Sequence, residues 1–323
     1  MLYFGLLIIL FCLQLFYFKI AEKYNIIDIP NERSSHTFIT LRGGGIIFPI
    51  SVIIAFITKD ISWPIMLAIS IVSIISFIDD INPVNLLPRF ITHFSAVFLV
   101  LFDLEMLNVS TGIIILIVIL MIGWINAFNF MDGINGITVL YTTVAIASFG
   151  FLSVNENSNH LFLVLGAACG VFGFFNIRKK AKTFAGDVGS ISLAVLLGYL
   201  MIKTIKNTNQ IGFILFFAIY GIDSVITIFN RIKNKENIFK GHRTHLYQYL
   251  ANEMNISHVY VSLIYAFLQL IINITVIYLF KINKLTYLNI IIYISLLSLV
   301  YTLIRYKLIK KINTKNSLLT NKT

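Results

Sequence analysis

The chain has 323 residues, 58% of them hydrophobic and only 12% charged, with a mean hydropathy of +0.88. Soluble domains carry about a quarter charged residues, so this composition excludes an ordinary soluble enzyme and predicts an integral membrane protein. The net charge of +11 does not point to nucleic acid, because the Lys and Arg fall in short clusters between apolar runs, the distribution that orients spans in a bilayer.

Taken in chain order, apolar windows predict eleven spans, near residues 2–20, 43–58, 62–78, 90–104, 111–128, 138–153, 161–177, 190–205, 211–229, 258–280 and 286–306. Each is able to cross about 30 Å of hydrocarbon with some tilt or local thinning. The first run has no basic leader and no small-residue cleavage site and reads as a retained helix. The fourth is the weakest, being short and starting beside His93. Cys12 and Cys169 lie inside apolar runs and read as small hydrophobes. With no Pro- or Ser-rich linker and no internal repeat, the expectation is one all-α, polytopic transmembrane domain over 1–323, with a basic tail at 307–323.

Eleven spans place the termini on opposite sides. With the N-terminus outside and the C-terminus inside, 20 of the 25 Lys and Arg fall on the cytoplasmic face, a firm positive-inside bias. The outward connections carry no arrangement suggesting chemistry. The inward ones hold every unusual cluster of acids, histidines and glycines, and this segregation is stronger evidence for a site than any one motif.

The first inward connection, "DIPNERSSHTFITLRGGG", offers Arg33, Ser34, Ser35, His36 and Arg42 to phosphate oxygens. Its glycines, Gly43 to Gly45, serve helix packing at least as well as chemistry. Asp79 and Asp80 follow the third span, where adjacent carboxylates repel unless a cation is near. Mg²⁺ takes one or two carboxylates plus substrate phosphates, so the pair suits it, although a solvated loop start shaped by Pro83 is the plain alternative. Arg89 lies within reach of a phosphate. In "INAFNFMDGINGI", Asn126, Asn129 and Asp132 recur in steps of three and share a broad face if the helix continues that far. Gly133 and Gly136 then stop the helix, and an Asn-rich cap is the competing explanation.

"FAGDVGS" presents Asp187 between Gly186 and Gly189, with Ser190 able to cap the next helix. Lys179, Lys180 and Lys182 upstream read chiefly as topology signals. "KGHRTHLYQ" sets His242 and His245 three apart around Arg243, which suits a phosphate or a divalent metal; without a third His, a Cys or HExxH, a zinc hydrolase is disfavoured. Asp223, inside the ninth span, either serves the site or pairs with a basic residue.

In order, "PNxRSSH…RGGG", "DD" with a downstream Arg, "NxxNxxDGxxG", "GDxGS" and "HRxHxYQ" resemble the polyprenyl-phosphate N-acetylhexosamine-1-phosphate transferases, glycosyl transferase family 4, the superfamily of phospho-N-acetylmuramoyl-pentapeptide translocase. The resemblance covers about residues 28–249, and "HRTHLYQ" is nearer the O-antigen and capsule initiators than the peptidoglycan translocase. It implies transfer of N-acetylhexosamine-1-phosphate from a UDP-sugar, UDP-GlcNAc first among them, to undecaprenyl phosphate, with release of UMP. The same chemistry on UDP-FucNAc, UDP-QuiNAc or UDP-GalNAc is an alternative, and so is a polytopic secondary transporter. The implied setting is the bacterial inner membrane with a cytoplasmic active site, serving lipopolysaccharide or another surface polysaccharide; the partners are the two substrates and the bilayer, with a homodimer allowed.

Carried over by position, the resemblance makes Asp79, Asp80, Asp132, Asp187, His242 and His245 catalytic. It assigns Arg33, Ser35, His36, Arg42, Arg89, Asn126, Asn129, Asn135 and Arg243 to substrate, and Asp187, Asn129 and Asp79 to Mg²⁺, with Mn²⁺ as a substitute. Asn135 departs from the pattern, since many relatives have Asp there; an amide can hydrogen-bond a uracil edge but cannot carry a charge.

Overall fold

Runs of Ile, Leu, Val and Phe without charges fold as helices, because only intrasegment hydrogen bonding satisfies the backbone in lipid. The computed structural model of the protein describes residues 2–31, 34–152, 159–237 and 242–320. Its main helices are α1 (Leu2–Lys23), α2 (Ile47–Ile57), α3 (Trp63–Ile81), α4 (Leu86–Asp103), α5 (Thr111–Phe130), α6 (Ile137–Phe151) and α7 (Asn159–Asn176). They continue as α8 (Gly186–Thr208), α9 (Ala218–Lys233) preceded by a 3₁₀ stretch at Ile211–Phe217, the single-turn α10 (Leu246–Gln248), α11 (His258–Lys281) and α12 (Tyr287–Thr320). Each of the eleven expected windows falls on a helix among the described residues. Eight are long and apolar enough to cross a membrane, and Gly44–Ile57, Ile137–Phe151 and His160–Asn176 are shorter apolar helices. The protein is an all-α, polytopic membrane protein.

Two boundaries differ from expectation. α4 begins at Leu86 rather than near residue 90, so His93 lies two turns inside it, buried at 5% exposure. The basic tail continues α12 as helix, since nothing in "RYKLIKKINTKN" breaks one.

α8 is the hub. Of its most apolar 18-residue window 83% is buried, against 11% for α12, which shows most of its surface outward. α8 packs on α2, α3, α4, α5 and α6, and small residues allow the crowding. At Gly189 the backbone touches Gly45, so closely that a Cβ on either residue would run into the other's main chain.

The connections gather at two ends. At one, His160 pairs with Asp60, and Ser62 donates to Asp103. At the other, β1 (Ile27–Asp28) runs antiparallel to β2 (Thr40–Leu41), and Leu41 bridges Thr183 in parallel. Leu41 O accepts from the Phe184 N–H at 2.8 Å and from the Thr183 hydroxyl at 3.0 Å. The Gly44 and Gly45 N–H groups donate to Phe184 O and Ala185 O. This stitching holds Arg42 beside the first turn of α8.

Candidate active site

The site begins where α3 ends. Asp80, in its last turn, has a fully buried side chain and accepts the Asp187 and Val188 N–H groups at 2.9 and 3.1 Å. A carboxylate from one helix thus caps the N-terminus of another, where free N–H groups and the helix dipole both favour negative charge. Gly186 makes the approach possible. Its φ is +70°, and a side chain there would collide with the Asp80 carboxyl.

Two arginines close the cluster. Arg42 Nε donates to Asp80 at 2.8 Å, and its Nη2 lies 3.7 Å from Asp187 Oδ1. Arg89 bridges Asp79 at 3.0 Å and Asp187 at 3.2 Å, while the other Asp79 oxygen accepts the Val84 N–H at 2.6 Å. Three acids from α3 and α8 therefore meet two cations, one from the connection before α2 and one from the first turn of α4, the arrangement like-charged groups need at the edge of a low-dielectric region.

Asp187 lies on the wall of a cleft of about 380 Å³, within the range of small-molecule sites. The other walls carry Ser35, His36, Arg42, Asn129, Asp132, Asn135 and His242. Asn129 accepts from Ser190 Oγ at 2.6 Å, which ties α5 to α8. Asp132 accepts from the Thr138 hydroxyl, and burial pushes its carboxyl up to about 6. Asn135 donates to Arg178 O at 2.9 Å and keeps its carbonyl oxygen buried without a partner. His36 Nε2 is buried without a hydrogen bond, 4.0 Å from Asp28 Oδ2, its ring edge-on to Phe184. Burial, with His245 and Arg231 adding to it, lowers His242 to about 4, so its ring is neutral at pH 7.

Several expected residues stand elsewhere. α5 ends at Phe130, so Asp132 lies in the turn beyond it, and Asn126 donates back to Ile122 O instead of facing the cleft. The shared face breaks up because Gly133 and Gly136 end the helix early. His242 and His245 are not on a helix, since His245 is the N-cap of α10; their rings still stack, with centroids 4.9 Å apart. Arg243 turns to Glu253 at 3.1 Å. His245 lies behind the cleft wall at 1% exposure, its Nδ1 2.9 Å from Asp223. Asp223 also accepts from Tyr265 at 2.6 Å, Tyr301 at 3.0 Å and the Leu246 N–H at 3.3 Å. Arg33 lies outside the described residues.

The sequence reading missed Asn176, Gln248 and His258, which also line the cleft. Asn176 accepts the Gly136 N–H at 2.8 Å and donates to Thr183 O at 2.9 Å, joining two connections. A lone Asn at the end of an apolar run was the signal available.

The family model for glycosyl transferase family 4 matches residues 62–205, from the start of α3 through most of α8. Over this segment, a little under half of its length, the chain is similar to glycosyl transferase family 4. The segment holds Asp79, Asp80, Arg89, Asn129, Asp132 and Asp187, whereas Arg42 and the histidines come from outside it. Three proteins named phospho-N-acetylmuramoyl-pentapeptide-transferase are similar over part of their length. The one from Lactococcus lactis subsp. cremoris (strain MG1363) is 32% identical over 120 residues, 36% of either chain. That of Streptococcus agalactiae serotype Ia is 28% identical over 123 residues, 37% of either chain. That of Streptococcus pyogenes serotype M3 (strain ATCC BAA-595 / MGAS315) is 34% identical over 99 residues, 29% of this chain and 30% of the relative. The chain thus matches about a third of these relatives' length. The acids lie where the matched segment brings α3, α5 and α8 together.

Proposed function

We propose that the chain transfers N-acetylhexosamine-1-phosphate from a UDP-sugar, UDP-GlcNAc first, to undecaprenyl phosphate, releasing UMP and forming the diphospho-linked lipid. In this reading the site faces the cytoplasm, the N-terminus lies outside, and the product begins a bacterial surface polysaccharide. The single observation that carries the proposal is Asp187, held between Arg42 and Arg89 on the wall of a cleft built from several connections at one end of the bundle. Two phosphate-bearing reactants, one of them fixed in the membrane, can meet only at such an interface.

The donor set fits Mg²⁺. Asp187, Asn129 and Asp132 offer hard oxygens to the cleft, and Mg²⁺ takes its remaining ligands from phosphates and water. Among the described residues no three acids, histidines or cysteines form a protein-only metal site, in keeping with a metal held largely by substrate. When bound, it would neutralise charge on the diphosphate. Asp79 is a weaker ligand candidate, because it does not line the cleft and both its oxygens are committed to Arg89 and Val84. Arg42 and Arg89 would turn part of their charge from carboxylates to phosphates, which aligns the reactants and stabilises charge at the transferred phosphorus. Asn135 and His36, each with a buried polar atom that makes no hydrogen bond, would take nucleobase or sugar groups. A lipid phosphate with a second pKa of roughly 6 needs little help from a base, so direct attack on the sugar-bearing phosphorus is favoured.

A secondary transporter would place its polar groups near mid-bilayer, often around broken helices. Here the acids and arginines of the cleft sit together at one end of the bundle. Incubating purified protein with undecaprenyl phosphate, Mg²⁺ and a panel of UDP-N-acetylhexosamines should release UMP and yield a diphospho-lipid with at least one donor. No lipid product with any donor would defeat the proposal.

A further inference from the structure

A second cleft, of about 330 Å³, opens between α9 and α12 at the same end of the bundle. Arg305 lines it and is only 6% exposed. Its Nη1 donates to the Thr227 hydroxyl at 2.8 Å and the Tyr301 hydroxyl at 3.2 Å, and its guanidinium lies over the Tyr249 ring. All of these partners are neutral. Among the described residues no carboxylate forms an ion pair with Arg305, and its Nε and Nη2 donate to no protein atom. No carboxylate touches the guanidinium directly, Asp223 standing one hydroxyl away behind Thr227 and Tyr301, and the free N–H fork on the cleft side matches the oxygens of a phosphate.

Three further features select the kind of anion. Asn230, Asn234 and Thr302 put neutral hydrogen-bonding groups around the same cleft, suited to phosphate oxygens, and Arg231 lines it too, with its ion-pair partner Glu236 at 3.1 Å. On the outward surfaces beside it, Phe229 and Ile232 of α9 and Leu303 and Tyr306 of α12 are 51–67% exposed, an apolar flank for acyl chains. Lys307, Lys310 and Lys311 follow at once on α12 and are exposed, as polybasic segments beside anionic lipid are.

We propose that this cleft binds the phosphate headgroup of an anionic membrane lipid, with Arg305 as its anchor and the lipid tails lying along α9 and α12. The site is separate from the Asp187 cleft and does not depend on the transferase reading.

The test is native mass spectrometry of the full chain after exposure to mixed micelles containing phosphatidylglycerol or phosphatidylcholine. The expected result is retention of phosphatidylglycerol over phosphatidylcholine, weakened about tenfold in Arg305→Gln, the scale of one lost charged hydrogen-bond pair. Thr302→Glu, at an exposed position on the cleft wall, should weaken it similarly by repulsion and serves if the Arg305 variant does not fold. Equal retention of the two lipids, or unchanged retention in Thr302→Glu, would overturn the proposal. Displacement of phosphatidylglycerol by equimolar inorganic phosphate would also overturn it, because the cleft would then be a free-phosphate site.

Discussion

Asp80 and Asp223 are both shut away from solvent, yet their surroundings differ in kind. Asp80 faces an arginine and two backbone N–H groups at the start of α8, within a cluster of three acids and two arginines. Asp223 sits among tyrosines from α11 and α12, a threonine of its own helix and His245. The first cluster is ionic and borders the cleft, so its charges can be redistributed when a phosphate arrives. The second is mostly neutral and lies behind the wall, where a tight hydrogen-bond set fixes one imidazole. One region is arranged to exchange partners and the other to hold still.

The sharpest way to break this contrast is Asp187→Asn. It removes the charge that two arginines and the proposed metal share, and turnover measured as UMP release should fall about a thousandfold, the scale of losing a principal electrostatic group. The thermal transition should barely move, because Asp80, not Asp187, caps α8. Asp223→Asn should cost less, about 10- to 100-fold, by freeing the His245 ring; its signature is an altered pH profile of turnover with substrate KM little changed. A purely structural Asp223 would leave that profile alone.

Asp132 permits a stability test. Its folded carboxyl titrates near 6, above the usual carboxylate value of 3.8, so the folded chain binds this proton more tightly than the unfolded one. Stability therefore falls as pH rises from about 4 to about 6, and the cost of the buried charge is fully present above that window. Asp132→Asn should be more stable than the parent by about 3 kcal/mol at pH 7.5, with the difference gone by about pH 3, read from thermal unfolding in detergent. The smallest effect belongs to Arg243→Ala: because Arg243 pairs with Glu253 outside the cleft, turnover should stay within about twofold, as is usual for an exposed ion pair.

Much of this was legible in the sequence, for identifiable reasons. Apolar runs located the long apolar helices among the described residues, since hydropathy is a local property. The acids and glycines of "DD" and "GDVGS" located the ionic cluster, since such groups are rare beside a bilayer without a purpose. Direction was harder to read. Asn126 and Asn129 share one helix, but whether an amide turns to its own backbone or to a neighbour depends on where α8 places Ser190. Arg243 looked like a phosphate ligand beside two histidines, yet Glu253, ten residues on, takes it. The partners of Asp223 come from α11 and α12, far along the chain, and no local pattern announces them.

The most direct measurement is electron paramagnetic resonance of Mn²⁺ titrated into the purified chain with UMP present. The account predicts one bound ion per chain that depends on UMP and is lost in Asp187→Asn, while Arg243→Ala binds as the parent does. Equal Mn²⁺ binding by the parent and the Asp187→Asn chain would contradict the claim that the α8 acid and a nucleotide phosphate share a metal in this cleft.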